Sequence, residues 1–378
     1  MPLRAEEQDA LRRRCAIVVS GHGEDAPGAE LARVAEWCRQ RGWHADRYGE
    51  GALIGAFETK VAALLGKPAA AFMPSGTMAQ QIALRIACER AKNSTIAMHP
   101  TSHLELYEEH AYARLHSLQA ILLGDRERPT SARDLAELPA SPAALLVELP
   151  AREIGGRLPA RHELAALAAL AAERGIWRHM DGARLWEARE YYAPASYAEI
   201  GGHFDSIYVS FYKGIGALAG AMLLGPEDFI AEARVWRRRH GGTLVQLHPF
   251  VASAAMRFDA QLAKMAAYRA RAAAFVEALA DIGGLTVLPA PPQVNLFHLH
   301  FQAPAEALTA ARDQIASEDG AWLAPRFSAE RGPGRASAEI YVGDNLLAIG
   351  HGADRTLLAP LYARMLDLAR ASVAALPQ

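Results

Sequence analysis

Apolar segments alternate with amphipathic or alanine-rich segments through residues 52–225. The apolar segments are short and continuous, which is typical of strands that are buried on both faces of a parallel sheet. The segments predicted as strands are residues 69–73, 94–98, 118–123, 143–149, 176–180, 207–211 and 221–224. The predicted helices between them include residues 52–65, 76–92 and 161–174. This alternation predicts an α/β fold, with a mostly parallel sheet between layers of helices.

The pattern changes near residue 249. Residues 250–281 are predicted as one long alanine-rich helix, and shorter strands and helices follow it up to a terminal helix at residues 355–375. Three parts are therefore expected. They are an N-terminal arm with helices (1–45), a large domain (46–249) and a smaller α+β domain (250–378).

Composition and charge exclude several classes of function. Hydrophobic residues make up 51% of the 378 residues, the net charge is −2 and the pI is near 6.7, so a nucleic-acid partner is not expected. Three widely spaced cysteines favour a reducing compartment. Neither a signal peptide nor a membrane span is predicted, and the expected location is the cytoplasm.

One lysine stands out in this pattern. Lys213 follows the apolar segment 207–211 and precedes small residues and glycines. An amine in poorly hydrated surroundings is more easily deprotonated and becomes a nucleophile. Such a lysine is used for Schiff-base formation with a carbonyl, above all with pyridoxal phosphate. Taken alone, a surface lysine at the end of a strand is the simpler interpretation.

Polar residues follow two other predicted strands. Ser75, Gly76 and Thr77 stand at the predicted start of a helix, where free backbone N–H groups bind phosphate. Asp181 lies at the carboxyl end of the strand 176–180, where open α/β sheets bind ligands and a carboxylate can keep a pyridine nitrogen protonated. At both places a helix N-cap is the structural alternative.

Arg184 and His103 are further candidates. Arg184 has a planar fork suited to carboxylate or phosphate oxygens, with a surface ion pair as its alternative. His103 follows another strand and can stack on an aromatic cofactor or act as an acid or base, although a polar loop residue is the simpler interpretation when it is taken alone. No metal site is expected, because His298 and His300 share a strand face without a third ligand at a known spacing.

The order of these segments resembles the family of low-specificity threonine aldolases and aromatic amino acid β-eliminating lyases. These are pyridoxal-phosphate enzymes of fold type I, the aspartate aminotransferase type. The matching motifs are YGE at 48–50, FMPSGTM at 72–78, SH at 102–103 with YE at 107–108, GGR at 155–157, HMDGARL at 179–185 and SFYKG at 210–214. The resemblance covers residues 48–242.

The resemblance implies a pyridoxal 5'-phosphate cofactor, bound to Lys213 as an internal aldimine. It implies that Asp181 pairs with the pyridine nitrogen and that His103 stacks on the ring and is a candidate base. These three residues are expected to be catalytic. The residues that it places around the cofactor are Ser75, Gly76, Thr77, His103, Asp181, Arg184, Ser210 and Lys213. Arg184 and Tyr48 are expected to bind substrate.

The expected activity is that of a lyase. It cleaves a β-hydroxy-α-amino acid such as threonine or allo-threonine to glycine and an aldehyde, with β-elimination as the alternative reaction. The resemblance also implies a homo-oligomer, a dimer or a tetramer, in which active sites are shared between subunits. The turn that contains Tyr48 is the part expected to reach a neighbouring subunit.

The substrate region departs from the family pattern. The departures are SGHG at residues 20–23 in place of an Arg-Ser-Asp-Thr-like segment, Tyr212 in place of a serine, and Tyr341 in place of an arginine that binds the substrate carboxylate. Carboxylate recognition is therefore expected to have moved, to Arg184 with Arg326 or Arg335, or the substrate differs.

Two other classes of function remain as alternatives. Residues 214–219 fit G-x-G-x-x-A after a strand, a loose dinucleotide fingerprint of an NAD-binding oxidoreductase. However, residues 221–224 are predicted as a strand, whereas that fingerprint requires a helix. A homologue that binds pyridoxal phosphate without turnover is the second alternative, because the substrate region is altered.

Overall fold

The computed structural model describes residues 3–330, 332–350 and 352–374. The helices are α1 (Ala5–Arg14), α2 (Pro27–Arg41), α3 (Ala52–Leu64), α4 (Gly76–Ala91), α5 (His103–Leu106), α6 (Ala111–His116), α7 (Ala132–Ala136), α8 (Arg161–Glu173), α9 (Leu185–Ala188), α10 (Tyr197–Gly201), α11 (Glu227–Arg239), α12 (His248–Leu262), α13 (Met265–Leu279), α14 (Ala305–Asp319), α15 (Asp344–Ile349) and α16 (Ala359–Ala374). The strands are β1 (Ile17–Val18), β2 (Ala69–Met73), β3 (Thr95–Met98), β4 (Gln119–Leu122), β5 (Ala144–Glu148), β6 (Trp177–Gly182), β7 (Ser206–Ser210), β8 (Ala221–Gly225), β9 (Leu285–Leu288), β10 (Leu296–Phe301), β11 (Ala321–Trp322), β12 (Ser328–Ala329) and β13 (Ala336–Tyr341).

The chain forms two compact units, of which the larger comprises Asp25–Lys264. A seven-stranded sheet runs through it in the order β2-β8-β7-β6-β5-β3-β4. Strand β8 is antiparallel to both its neighbours, and the remaining pairs are parallel. The predicted α/β fold with a mostly parallel sheet is confirmed.

Helix α4 covers one face of this sheet, and its sequence explains why. Ile82 and Ile86 are fully buried and belong to a core cluster with Leu223 of β8 and Phe229 of α11. Burying an isoleucine side chain contributes about 1.5–3 kcal/mol. These contacts fix the first turn of α4 beside the ends of the central strands, which is the part of the sheet that open α/β proteins use for ligands.

The second unit comprises Met1–Glu24 and Met265–Gln378. It has a four-stranded antiparallel sheet in the order β12-β13-β10-β9 and a parallel pair of β1 with β11. The division of the chain therefore differs from the predicted boundaries at 45/46 and 249/250. The cause is that β1 pairs with β11 and that α1 packs on α14, contacts between distant segments which the local pattern does not contain.

The predicted long helix at residues 250–281 is wrong. It consists of α12 and α13, which are separated at Ala263 and Lys264. There the Lys264 N–H donates to the carbonyl of Gln261, a tight turn in place of a helical bond. Neither glycine nor proline marks this break, so sequence pattern alone misses it. In the described part of the chain, no helix is both long and apolar enough to cross a bilayer.

A buried carboxylate organises the turn of the YGE motif. Asp46 is 2% exposed, and its two oxygens accept N–H bonds from Gly49 at 3.1 Å, from Leu247 at 2.9 Å and from His248 at 2.8 Å. Burial raises the pKa of Asp46, but these bonds outweigh burial and hold it below its ordinary value. The turn at residues 46–50 is thereby fixed to the start of α12.

We predict that Asp46→Ala lowers the free energy of unfolding by roughly 2–4 kcal/mol, because several buried backbone N–H groups lose their acceptor. Urea unfolding followed by circular dichroism measures this. The matched control is Asp259→Ala, which removes an exposed ion pair with Lys60 and should cost about 1 kcal/mol or less. Equal effects of the two substitutions would contradict the assigned role of Asp46.

Candidate active site

Three polar side chains lie in one row across the central strands. Glu148 of β5 is the register partner of Asp181 of β6, and Asp181 is the partner of Tyr208 of β7. Register partners on neighbouring strands point to the same face of a sheet. The row lies at or near the carboxyl ends of parallel strands, the predicted location of the ligand.

Asp181 is the most buried carboxylate of this row, with 2% exposure. Its Oδ1 accepts the backbone N–H of Ala183 at 3.0 Å. Burial raises the pKa of Asp181, and the positive charges of Lys213 and His103 act against this rise. A carboxylate in this position needs a cationic or N–H partner to remain ionised. A pyridine nitrogen that shares a proton with it provides such a partner.

Glu148 is a site residue that the sequence analysis missed. Burial, followed by the neighbouring charge of Asp181, raises the pKa of Glu148 to about 7. The Arg152 backbone N–H donates to its Oε1 at 3.0 Å, and its side chain is partly exposed. The sequence does contain a signal. Glu148 is the only carboxylate in the otherwise apolar segment 143–149 and stands near the carboxyl end of that predicted strand. Asp181 stands at the same end of the predicted strand 176–180.

Lys213 lies in the loop between β7 and β8. Its carbonyl accepts the N–H of Gly216 at 3.0 Å, and its side chain is half-buried. The next residue, Gly214, packs against Glu187, since a Cβ at residue 214 would lie 2.5 Å from Glu187 Oε1. A side chain at residue 214 would therefore have to displace the Glu187 carboxylate. The loop is held against a buried carboxylate while the amine stays near Asp181 and Glu148.

A hydrogen-bond chain orients His103. Its Nδ1 lies 3.2 Å from Oε1 of Glu108, which is almost fully buried, and Gln81 donates to the other Glu108 oxygen at 2.9 Å. The ring is about one third exposed and lies 5.3 Å from the ring of Tyr107. Because an ionised Glu108 accepts from Nδ1–H, the neutral imidazole presents Nε2 as a proton acceptor.

The predicted phosphate site coincides with the start of α4. Ser75 is the N-cap, and its Oγ accepts the Met78 N–H at 3.3 Å. The backbone N–H groups of Gly76 and Thr77 lie in the first turn, where no carbonyl of the helix can accept from them. They are therefore available to bind an anion. Gly76 has no room for a side chain, because a Cβ would lie 2.0 Å from the Tyr208 hydroxyl.

Two buried hydroxyl groups test whether the site fits a phosphorylated pyridine cofactor. Ser210 and Ser102 are fully buried, and each side-chain oxygen is without a hydrogen-bond partner among the described residues. A buried polar atom that has no partner costs about 1–3 kcal/mol, and in native proteins such an atom is usually satisfied by a water molecule, an ion or a bound polar group. Together with the carboxylate row, the amine and the helix start, these hydroxyls fit pyridoxal phosphate. No cluster of three metal-ligating side chains occurs in the described ranges.

The two residues that were expected to bind substrate, Arg184 and Tyr48, lie in different surroundings. Arg184 precedes α9 and lies 3.7 Å from Glu187, the carboxylate under the Lys213 loop. Tyr48 is 55% exposed at φ 53°, and its N–H donates to Val245. This bond joins Tyr48 to the segment that precedes α12 rather than to the Lys213 loop. It borders a surface cavity of about 480 Å³.

Two of the three departures from the family pattern, at residues 20–23 and at Tyr341, meet inside the second unit, whereas Tyr212 belongs to the larger unit. The Ser20 Oγ donates to the Tyr341 carbonyl at 3.2 Å, and His22 Nε2 lies 3.4 Å from the Tyr341 hydroxyl. His22 Nδ1 lies 3.1 Å from Asp344, which also accepts the Tyr268 hydroxyl at 2.6 Å. The altered N-terminal segment and the altered C-terminal strand thus form one polar cluster.

Comparison with known proteins decides the family. A sequence model of the family described as beta-eliminating lyase matches residues 44–303, well over half of the chain. The chain belongs to the beta-eliminating lyase family. The match includes each residue that was predicted around the cofactor, from Ser75 to Lys213.

Named proteins and solved structures resemble this member of the beta-eliminating lyase family. The low specificity L-threonine aldolase of Escherichia coli K12 is 29% identical over 244 residues, 63% of this chain and 72% of that protein. The structure of a candidate L-allo-threonine aldolase from Listeria monocytogenes is 38% identical with a TM-score of 0.88, and covers 96% of this chain and 98% of its own. That of a candidate aromatic amino acid beta-eliminating lyase/threonine aldolase from Exiguobacterium is 39% identical with a TM-score of 0.87, and covers 95% and 99%. This likeness confirms the predicted fold type I and the lyase class.

We predict that Gly76→Ala in this member of the beta-eliminating lyase family destabilises the fold by about 1–3 kcal/mol, because the new methyl group overlaps the Tyr208 hydroxyl. The control is Gly55→Ala on the exposed face of α3, where a Cβ meets nothing within 4 Å. That change should be neutral or stabilising by up to about 1 kcal/mol. Thermal unfolding of both variants measures the contrast, and a neutral Gly76→Ala would refute the assigned contact.

We also predict a pH-dependent effect of Glu148→Gln on the cofactor-free protein. The folded-state pKa of Glu148 is raised, so proton binding favours the folded state at low pH, and this contribution disappears as the pH rises towards 7. Glutamine does not titrate. The unfolding free energy of the variant relative to wild type should therefore increase by roughly 1–3 kcal/mol between pH 5 and pH 8.

Urea unfolding at the two pH values measures this difference. Glu137→Gln, which changes an exposed glutamate paired with Arg133, serves as the control and should show no such trend. A constant difference between Glu148→Gln and wild type would mean that Glu148 does not titrate in this range.

Proposed function

We propose that this chain is a pyridoxal-phosphate-dependent lyase that cleaves a β-hydroxy-α-amino acid of the threonine or allo-threonine type to glycine and an aldehyde. The supporting observation is the joint placement of Asp181, Lys213, His103 and the free start of α4 in one compact unit. The names of the relatives from Escherichia coli and Listeria point to the same reaction.

The residues divide the work by their positions. Lys213 holds the cofactor covalently through its amine, and the start of α4 with Ser75, Gly76 and Thr77 holds the phosphate. Asp181 keeps a proton on the pyridine nitrogen. When bound, pyridoxal phosphate supplies an electron sink for the pair released as the Cα–Cβ bond of the substrate breaks.

His103 is the proposed base for the β-hydroxyl proton of the substrate. Its Nδ1 is occupied by Glu108, which leaves Nε2 to accept a proton, and the partly exposed ring is accessible. Glu108 also stabilises the imidazolium that forms, because it is an anion held in place by Gln81. Glu148 holds its proton up to about pH 7 and stands next to Asp181 as a second proton donor.

Arg184 is the proposed ligand of the cofactor's phenolic oxygen or of the substrate carboxylate. Its guanidinium is only 14% exposed and is oriented by Glu187 beneath the Lys213 loop. A planar fork in such a fixed position suits a single oxygen or a carboxylate. Ser210, whose hydroxyl is buried without a partner in the described ranges, is proposed as a further cofactor contact.

A β-elimination is the second candidate reaction. The matched family is described by that activity, and the Exiguobacterium relative carries both names. Both reactions use the same electron sink and differ in the bond that breaks. The products separate them, since aldol cleavage releases an aldehyde with glycine and elimination from a β-substituted amino acid releases a keto acid.

We further propose a cytoplasmic homo-oligomer, a dimer or a tetramer, in which the turn around Tyr48 contributes to a neighbouring site. Tyr48, Leu244 and Val245 expose apolar surface at this turn, with 55%, 37% and 58% exposure. Burial of such a patch against a second copy is favourable. Free cysteines at all three positions suit the cytoplasm. Light scattering of the purified protein tests the assembly, and a monomer would refute it.

The proposed function predicts a visible absorbance band after pyridoxal phosphate is added to the purified protein. Lys213→Ala should abolish this band and lower aldehyde release from threonine and allo-threonine at least about a thousandfold, because the attachment group is lost. Lys92→Ala, at an exposed position, should leave both unchanged. A wild-type protein that forms no band with pyridoxal phosphate would refute the proposal.

A further inference from the structure

Tyr208 connects the carboxylate row with the start of α4. It is the register partner of Asp181 on β7 and is 3% exposed. Its hydroxyl reaches the first residue of the helix, since a Cβ on Gly76 would lie 2.0 Å from it. The backbone of Tyr208 is therefore paired with Asp181, while its hydroxyl lies at the start of α4.

The start of α4 is a place for an anion. This helix has 16 residues, and the side chain of its N-cap already satisfies the N–H of Met78. The N–H groups of Gly76 and Thr77 have no carbonyl partner within the helix, and they lie at the positive end of the helix dipole. A hydroxyl that touches the Cα of Gly76 is within reach of the same anion.

The chemical state of Tyr208 suits a donor. Burial, followed by the neighbouring groups Tyr212 and Asp181, raises its pKa well above the ordinary tyrosine value. The phenol therefore keeps its proton at any physiological pH. An O–H that donates to a charged oxygen forms one of the stronger hydrogen bonds in proteins.

Packing alone explains the ring of Tyr208 but not its hydroxyl. The ring belongs to the core cluster that contains Ile82 and Leu223, where a phenylalanine would pack equally well. The polar neighbours of this hydroxyl are the side chains of Tyr212 and Ser210, and a buried hydroxyl adds a desolvation cost that polar partners offset. Tyr212 stands next to Lys213, whose Nζ lies 6.0 Å from the centre of the Tyr212 ring.

We propose that the hydroxyl of Tyr208 donates a hydrogen bond to the phosphate of the bound cofactor. It completes a cradle with the N–H groups of Gly76 and Thr77. This inference rests on the proposed function, because it concerns the phosphate of the same cofactor. It also gives a reason for glycine at residue 76, where any side chain would displace the hydroxyl.

The test compares two ligands that differ only in the phosphate. Pyridoxal phosphate and pyridoxal are each titrated into wild type and Tyr208→Phe, and binding is followed by the visible absorbance band. Tyr208→Phe should weaken pyridoxal phosphate about tenfold or more and change pyridoxal less than about twofold, because a bond to a charged oxygen is lost. The control is Tyr192→Phe, a buried tyrosine whose hydroxyl donates to Pro159 at 3.0 Å, which should leave both affinities unchanged.

The outcomes separate the inference from the function on which it rests. No binding of pyridoxal phosphate to wild type would refute the proposed function. Normal wild-type binding with equal effects of Tyr208→Phe on both ligands, or with no effect on either, would refute the role of Tyr208 alone.

If Tyr208→Phe does not fold, 3-fluorotyrosine at residue 208 keeps the shape and makes the phenol a stronger donor. It should tighten pyridoxal phosphate relative to pyridoxal. An unchanged ratio of the two affinities would overturn the inference.

Discussion

The buried charge of Asp181 is the constraint on which the site depends. A carboxylate with 2% exposure is costly unless positive charge or an N–H group faces it. Lys213 provides charge, as does His103 in its protonated form, and both charges act against the effect of burial on the pKa of Asp181. The surrounding strands and helices position the groups around Asp181. Parallel strands bring Glu148 and Tyr208 to either side of Asp181, and α4 places free N–H groups beside the row.

Much of this arrangement could be predicted from the sequence, since it is local. Continuous apolar strands marked the sheet, and polar residues directly after them marked its carboxyl edge. Asp181 and Ser75 each follow such a strand, and parallel strands place their ends together. Lys213 also follows an apolar segment, and the ordered motifs around it indicate its role. The strand 221–225 after it also explains why the dinucleotide fingerprint at residues 214–219 does not have the required helix.

Other features depend on contacts between distant segments and were not predictable. Tyr208 looked like an ordinary strand residue, because its contact with Gly76 appears only when β7 and α4 pack together. Glu148 differs from these, because a single carboxylate at the end of the apolar segment 143–149 was a signal in the sequence. The break between α12 and α13 has no local sequence signal. The altered segment at residues 20–23 and Tyr341 were separate departures in sequence, yet in the second unit they form one cluster with Asp344.

We propose that Lys213 is the lysine of this chain that carries the cofactor. The lysines are Lys60, Lys67, Lys92, Lys213 and Lys264. Borohydride reduction of the protein loaded with pyridoxal phosphate, followed by peptide mass mapping, identifies the attachment point directly. If Lys213 carries the cofactor, one stoichiometric label is expected on the peptide that contains Lys213. A label on another lysine, or none, would contradict it.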